Sequence, residues 1–165
     1  MIIYEDIFQE FQKQKVKYVL VGGLAFNLLG GERNTSDMDI LVELSNENLK
    51  KIVKILKKKN YHVKQPVDPM GIADETTRKD WIKNKHMKAF NFYLDGQYKE
   101  VDIIVESPVA YSEASQKVKW IKVDNLRIPV MSIDHLIKMK KRAGRDVDAF
   151  DIKRLKEIKK LETRL

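Results

Sequence analysis

The sequence predicts an α+β domain: a mixed β-sheet flanked by helices, with a short helical pair at the C-terminal end. Three observations carry that reading. Short β-branched and aromatic runs alternate with segments of helical hydrophobic period. Asp95-Gly96 and Asp124-Asn125 each separate two such runs, as hairpin links do. The residues after Met131 read as two basic helices broken at Gly144. A length of 165 residues suits one domain, divided into an α/β core over 1–131 and basic helices packed on it over 132–165. Hydrophobic residues make up 43% and charged residues 34%, with 7 Gly and 4 Pro, which excludes a disordered or low-complexity chain.

The elements follow in order. Tyr4, Ile7, Phe8 and Phe11 recur at helical spacing, giving an amphipathic helix that ends near Gln14. Lys17–Val21 is a buried strand that stops at Gly22-Gly23, and a tight turn and short helix over Leu24–Leu29 lead to a stop at Gly30-Gly31. Asp37–Glu43 is a second strand, on which Asp37, Asp39 and Leu41 face one way and Met38, Ile40 and Val42 the other. Ser45 caps a helix over Asn46–Lys59 that buries Leu49, Ile52, Val53 and Leu56. Gln65–Asp74, with Pro66, Pro69 and Gly71, reads as a loop before a helix over Thr77–Lys85. Met87–Leu94 and Gln97–Val105 form a hairpin, Lys117–Val123 and Leu126–Val130 a second. Ser132 caps a helix to Ala143, and another runs from Asp146 to the end of the sequence.

Composition narrows the chemistry. Cysteine is absent, which removes disulfides, thiolate nucleophiles and zinc–thiolate centres. The opening MIIYEDIF carries two acids where a signal peptide is basic, and no apolar run nears 18 residues, so a cytoplasmic protein without a membrane partner is expected. The net charge of +8 lies entirely in residues 117–165, which hold 15 Lys+Arg against 7 Asp+Glu, whereas residues 1–116 hold 17 of each. That end is a candidate footprint for a polyanion such as RNA or a nucleoside triphosphate, the alternative being a solvated lysine-rich surface.

The acids define a candidate site. Asp37 and Asp39 project from one face of a strand, close enough to hold a divalent cation, for which hard oxygen ligands suit Mg²⁺, the alternative for Asp-x-Asp alone being a solvated strand end. Such a pair is costly without a compensating cation. Gly22-Gly23, between strand and helix, either lets a phosphate approach the backbone or is a structural turn. Asp102 lies within an apolar strand, EVDIIV, and an unpaired buried carboxylate there would cost several kcal/mol, so it needs a partner, which a metal supplies. Three carboxylates facing a glycine turn suit two-metal phosphoryl or nucleotidyl transfer. The rings of Trp81 and Trp120 read as core, and His62, His86 and His135 as surface or packing residues.

The stretch YVLVGGLAFNLLGGERNTSDMDILVE, with a later single acid, resembles the signature of the DNA polymerase β-like nucleotidyltransferase superfamily. Gly30, Arg33, Thr35, Asp37 and Asp39 are similar to the branch holding AbiEii-like nucleotidyltransferase toxins and small antibiotic nucleotidyltransferases. Arg145, Asp148 and Asp151 resemble the closing helices of that branch. The resemblance implies the nucleotidyltransferase fold and transfer of an NMP from an NTP to a hydroxyl by two-metal catalysis with Mg²⁺ or Mn²⁺. It implies that Asp37, Asp39 and Asp102 are catalytic metal ligands, and that Asp102 helps deprotonate the acceptor. Gly22 and Gly23 would lie against the β and γ phosphates and Arg33 near the leaving pyrophosphate, unless Arg33 pairs with Glu32 or another acid. Thr35 would join the nucleotide site or cap its loop, and Lys138, Lys141, Arg142 and Arg145 would contact nucleotide or RNA phosphate or form a solvated face.

Only about 35 residues follow Val130, less than the second domain usual in that superfamily. Either a homodimer completes the cleft, or the acceptor is small, or the segment from Pro66 to Lys85 does that job; tRNA or another RNA, a protein and a small molecule are the candidate acceptors, and a toxin–antitoxin role is one expectation. The alternative is an inactive module of the same fold that binds RNA or a partner protein. Glycosyl transfer through Asp-x-Asp does not explain Gly22-Gly23 followed by Arg33 and Asp102.

Overall fold

In the computed structural model, which describes residues 2–164, the centre of the sheet is made by Tyr18–Val21 (β1) and Asp37–Val42 (β2). All four residues of β1 are buried, as its uninterrupted apolar run requires, and β2 lies antiparallel to it with Asp39 opposite Val21. Tyr61–Val63 (β3), Ala89–Leu94 (β4), Lys99–Ile104 (β5), Lys119–Val123 (β6) and Leu126–Val130 (β7) complete seven strands in the order β3-β4-β5-β2-β1-β7-β6. The β2–β5 and β1–β7 pairs are parallel and the other neighbours antiparallel, so the sheet is mixed, as expected.

Period-two alternation separates the two faces of the sheet. Met38, Ile40, Phe90, Phe92, Val101 and Ile103 are fully buried and join one core with Ile7, Phe8 and Phe11 of helix Glu5–Lys13 (α1) and Leu49, Ile52, Val53 and Leu56 of helix Asn46–Lys58 (α3). The alternate residues, Asp37 and Asp39 of β2, Glu100 and Asp102 of β5 and Asn91 of β4, are left on the other face. Five further helices are Gly22–Leu28 (α2), Glu75–Asn84 (α4), Tyr111–Ala114 (α5), Ile133–Ala143 (α6) and Asp146–Thr163 (α7). None of the described helices is long and apolar enough to cross a membrane. Leu165, in the stretch expected to end α7, lies outside the described residues.

Several local features depart from the sequence reading. Helix α2 begins on Gly22 itself, at φ +71°, with no intervening turn. The strand β3 and helix α5 were not anticipated, being only three and four residues long. Gln65–Asp74 contains a 3₁₀ turn, Pro69–Ala73, which Asp68 caps by accepting from the Met70 amide at 2.9 Å. Helix α4 starts before Thr77 because the Asp74 carboxylate accepts the Thr77 N–H at 2.9 Å. The Asp95-Gly96 hairpin has a four-residue link, since Leu94 pairs with Lys99, whereas Asp124-Asn125 is the two-residue link expected. Trp81 is core and stacks on Phe90 at 5.7 Å, but Trp120 is 56% exposed. It stands on the edge strand β6 with the Arg127 guanidinium 5.4 Å from its ring centre.

Two buried polar side chains knit this scaffold. Asn48 accepts the Lys17 N–H at 2.8 Å and donates to the Lys17 and Glu43 carbonyls, joining the start of α3 to the ends of β1 and β2 remote from the carboxylates. Arg78 of α4 donates to the carbonyls of Ile72 (2.8 Å) and Leu44 (3.0 Å) and to Asn46 Oδ1 (3.1 Å), so neutral oxygens satisfy its buried fork.

Candidate active site

The parallel register of β2 and β5 sets Asp37 opposite Glu100 and Asp39 opposite Asp102. The three predicted carboxylates thus stand on adjacent strands of one face, with Glu100 as a fourth acid that forms an ion pair with Lys64. Burial, above all, pushes Asp39 up to about 7, and the charge of Asp102 and a hydrogen bond with it add to the effect. Asp102 is also raised by burial, but the Asn91 amide and the bond from Asp39 hold it down. Both members of the pair are thus held above the ordinary carboxylate range, chiefly by burial. Asp37 is raised by burial and then by Glu100.

Tyr4 fixes this end of the strands. Its buried hydroxyl bonds the Ser36 carbonyl, the residue before Asp37, and accepts the Glu100 N–H at 2.8 Å. The first helix thereby holds β2 and β5 in the register that aligns the acids. On the far side of Asp102, Asn91 Nδ2 donates to its Oδ1 at 2.6 Å, and Asn91 is itself gripped by Gln65.

Gly22-Gly23, the segment from Arg33 to Asp37, Asp39, Lys140 and Arg145 enclose a polar cavity of about 320 Å³. The glycines are required by contact: a Cβ on Gly22 would lie 2.2 Å from Asp39 Oδ2, and one on Gly23 would lie 2.9 Å from Thr35 Oγ1. Backbone therefore runs against both side chains, and at Gly22 the positive φ adds a second reason for glycine.

The cationic wall comes from the C-terminal helices. Lys140 Nζ lies 2.8 Å from Asp151 and 3.8 Å from Asp148, and Arg33 also pairs with Asp151. Arg145 reaches Asp148 through Nε at 2.8 Å and Nη2 at 3.1 Å. Asp148 and Asp151 are buried, so α7 supplies two fixed anions that aim three cations at the cavity and leave one positive charge uncompensated. Asp148 also accepts the Arg145 N–H at 3.0 Å, capping α7.

Of the residues expected here, Gly22, Gly23, Arg33, Thr35, Asp37, Asp39 and Arg145 line the cavity. Asp102 stands beside it, across the strand pair from Asp39. Lys141 is exposed and does not line it; its neighbour Lys140 does. The correction follows from helical period, because Ile133, Leu136, Ile137 and Lys140 form the buried stripe of α6 and Lys141 falls outside it. Lys138 is exposed and Arg142 pairs with Glu106, so neither joins the site. The sequence marks Tyr4 only as part of the first helix's apolar stripe, and Gln65 and Asn91 only as polar residues in or near a strand.

Among the described residues, no three carboxylates or imidazoles surround a common point as a ready-made cation cage. The donor chemistry nevertheless fits a divalent ion: hard oxygens of like charge on adjacent strands, whose mutual repulsion a cation would relieve.

Solved nucleotidyltransferase structures share this mixed-sheet fold across nearly the whole chain. The lincosamide antibiotic adenylyltransferase LnuA, solved with lincomycin bound, aligns with a TM-score of 0.61 and 19% identity, over 93% of this chain and 94% of its own. ANT(2")-Ia, solved with adenylyl-2"-tobramycin, aligns at 0.58 and 13%, over 96% and 91%. An antigenic nucleotidyltransferase-like protein from Paracoccidioides brasiliensis aligns at 0.55 and 17%, over 94% and 73%. The family model for aminoglycoside-2''-adenylyltransferases matches residues 4–155, and the chain belongs to that family. The resemblance to the polymerase β-like superfamily holds, and the match falls in its antibiotic branch. No curated protein matches the sequence.

Proposed function

We propose that this protein transfers AMP from ATP to a hydroxyl group of a small, antibiotic-like acceptor. The observation that carries the reading is the placement of the Asp37, Asp39 and Asp102 carboxylates beside a cavity walled by Gly22-Gly23 and by three cations. Membership of an adenylyltransferase family supports ATP as the donor and a small molecule as the acceptor, and LnuA and ANT(2")-Ia are adenylyltransferase folds seen with antibiotic ligands. The family and these two neighbours favour a small-molecule acceptor over RNA.

In this mechanism the triphosphate lies along Gly22 and Gly23, where the lack of Cβ atoms opens the backbone to it. Arg33, Lys140 and Arg145 face its negative charge and that of the departing pyrophosphate. Asp37, Asp39 and Asp102 would hold a divalent cation, Mg²⁺ or Mn²⁺, which would neutralise the triphosphate and activate the α-phosphorus. Asp102, oriented by Asn91, takes the proton of the acceptor hydroxyl. The acceptor oxygen bonds to the α-phosphorus as the bond to pyrophosphate breaks, and cation and base together account for the charge that moves.

Mass spectrometry of hydroxylated antibiotics incubated with the protein, Mg²⁺ and each of the four NTPs tests this reading. The expected result is an acceptor gaining one AMP from ATP, with pyrophosphate released. Absence of any nucleotidyl adduct or pyrophosphate release, from protein that binds Mg²⁺ and ATP, would favour the inactive nucleotide-binding module.

A further inference from the structure

We infer that the acceptor binds in the groove on the β4 side of Asp102, and that this groove takes a hydroxyl compound with an apolar body and no positive charge. The inference rests on the transfer reading and specifies its second substrate.

The strand order gives the carboxylates two flanks: β1 adjoins β2 on one side and β4 adjoins β5 on the other. The cavity with the glycines and cations occupies the first flank. On the second lies a separate cavity of about 570 Å³, between the segment that follows β3 and the segment that leads into β4. The two cavities share no lining residue, and the Asp39–Asp102 pair stands between them. In-line transfer suits this arrangement, with the acceptor oxygen and the leaving pyrophosphate on opposite sides of the donor's α-phosphorus.

Asn91 connects the second cavity to the chemistry. It lines the groove, stands opposite Asp102 in the β4–β5 register and donates to Asp102 Oδ1 at 2.6 Å. Its carbonyl oxygen is taken by Gln65 Nε2 at 2.7 Å, which fixes the amide with its NH₂ toward Asp102. Gln65 lines the same groove, so a molecule lying there meets the amides that hold the base.

The lining sets the acceptor class. Pro66, Val67, Met87 and Ala89 offer an apolar bed, while Lys85, His86 and Lys88 are its ionisable groups, with no acid among the residues that line it. A polycation would enter against the two lysines with no carboxylate in the lining to pair with. Aminoglycosides, which give the family its name, carry several ammonium groups and need the opposite lining. An uncharged or anionic hydroxyl compound meets no such barrier.

Ligand-observed NMR on the full chain tests this with tobramycin, octyl β-glucoside and octyl β-glucuronide, below micellar concentrations, against wild type and Lys85→Glu/Lys88→Glu. Thermal unfolding with Mg²⁺ and ATP runs in parallel. Wild type is expected to bind either octyl glycoside at least tenfold tighter than tobramycin, and the double variant to reverse that order without changing its ATP-dependent shift. A glucoside equal to the glucuronide assigns the selectivity to exclusion of cations, and a tighter glucuronide assigns it also to attraction of anions. Tobramycin bound as tightly as the glycosides, an order unchanged in the variant, or no binding of any of the three would overturn the inference. Loss of the ATP shift in wild type, with glycoside selectivity intact, would instead count against nucleotidyl transfer and leave the groove assignment standing.

Discussion

Asp39→Asn is expected to lower kcat for AMP transfer by about 10³-fold or more and, in the same variant, to stabilise the nucleotide-free protein. Both effects come from one placement. Asp39 is buried beside Asp102 and hydrogen-bonded to it, so the folded chain holds its proton up to about 7, whereas the unfolded chain ionises it near 3.8. Between those values the folded state binds the extra proton, and stability falls as pH rises through the window. Asparagine carries no ionisable proton and keeps an N–H donor for Asp102. The variant should therefore lack that fall and exceed wild type at pH 8 by about 1–3 kcal/mol. Urea unfolding of both proteins at pH 5 and pH 8, beside a transfer assay, checks the pair of effects. A variant that is less stable at pH 8, or that still transfers AMP, would remove Asp39 from its assigned role.

Asp151→Ala should have the largest cost to folding. Its carboxylate is shared by Arg33 and Lys140, and the Lys140 side chain is only 6% exposed, so truncation leaves a buried ammonium with Asp148 at 3.8 Å as its remaining anion. Breaking a buried pair from one side costs about 3–5 kcal/mol, which should show as a lowered Tm and a smaller denaturant midpoint. Nucleotide affinity should fall as well, because the two cations lose the group that aims them. Lys140→Met/Asp151→Leu separates the two contributions: it removes both charges, should recover most of the stability, and should leave nucleotide binding weak. A loss below 1 kcal/mol in Asp151→Ala, or full nucleotide affinity in the double variant, would contradict this account of the network.

The central strands and the acids on them were legible in the sequence because their signals are local. Apolar runs, a glycine pair and Asp-x-Asp alternation each fit within a few residues, and the fully buried β1 and the carboxylate-bearing face of β2 follow from them directly. What escaped was set at long range. Arg33 meets Asp151 across 118 positions of sequence, and Tyr4 reaches Glu100 across 96, distances over which no pattern in the chain declares a partner. Lys140 is an intermediate case, since the stripe of α6 marks it as buried but only the fold reveals the two acids that make its burial affordable. The exposed position of Trp120 is an edge-strand property, fixed by which strand ends the sheet.

The most direct test of the site is thermal unfolding of wild type and Asp37→Asn with Mg²⁺ or Mn²⁺ and each NTP. Asp37 stands at the start of β2, less buried than Asp39, so its amide isostere should leave the fold intact while removing a cation ligand. The account predicts a metal-dependent rise in Tm with ATP, worth about 2.7 kcal/mol at 100 times the dissociation constant, and its loss in the variant. No shift with any nucleotide in folded protein containing metal, or an equal shift in Asp37→Asn, would contradict the placement of the nucleotide at these carboxylates.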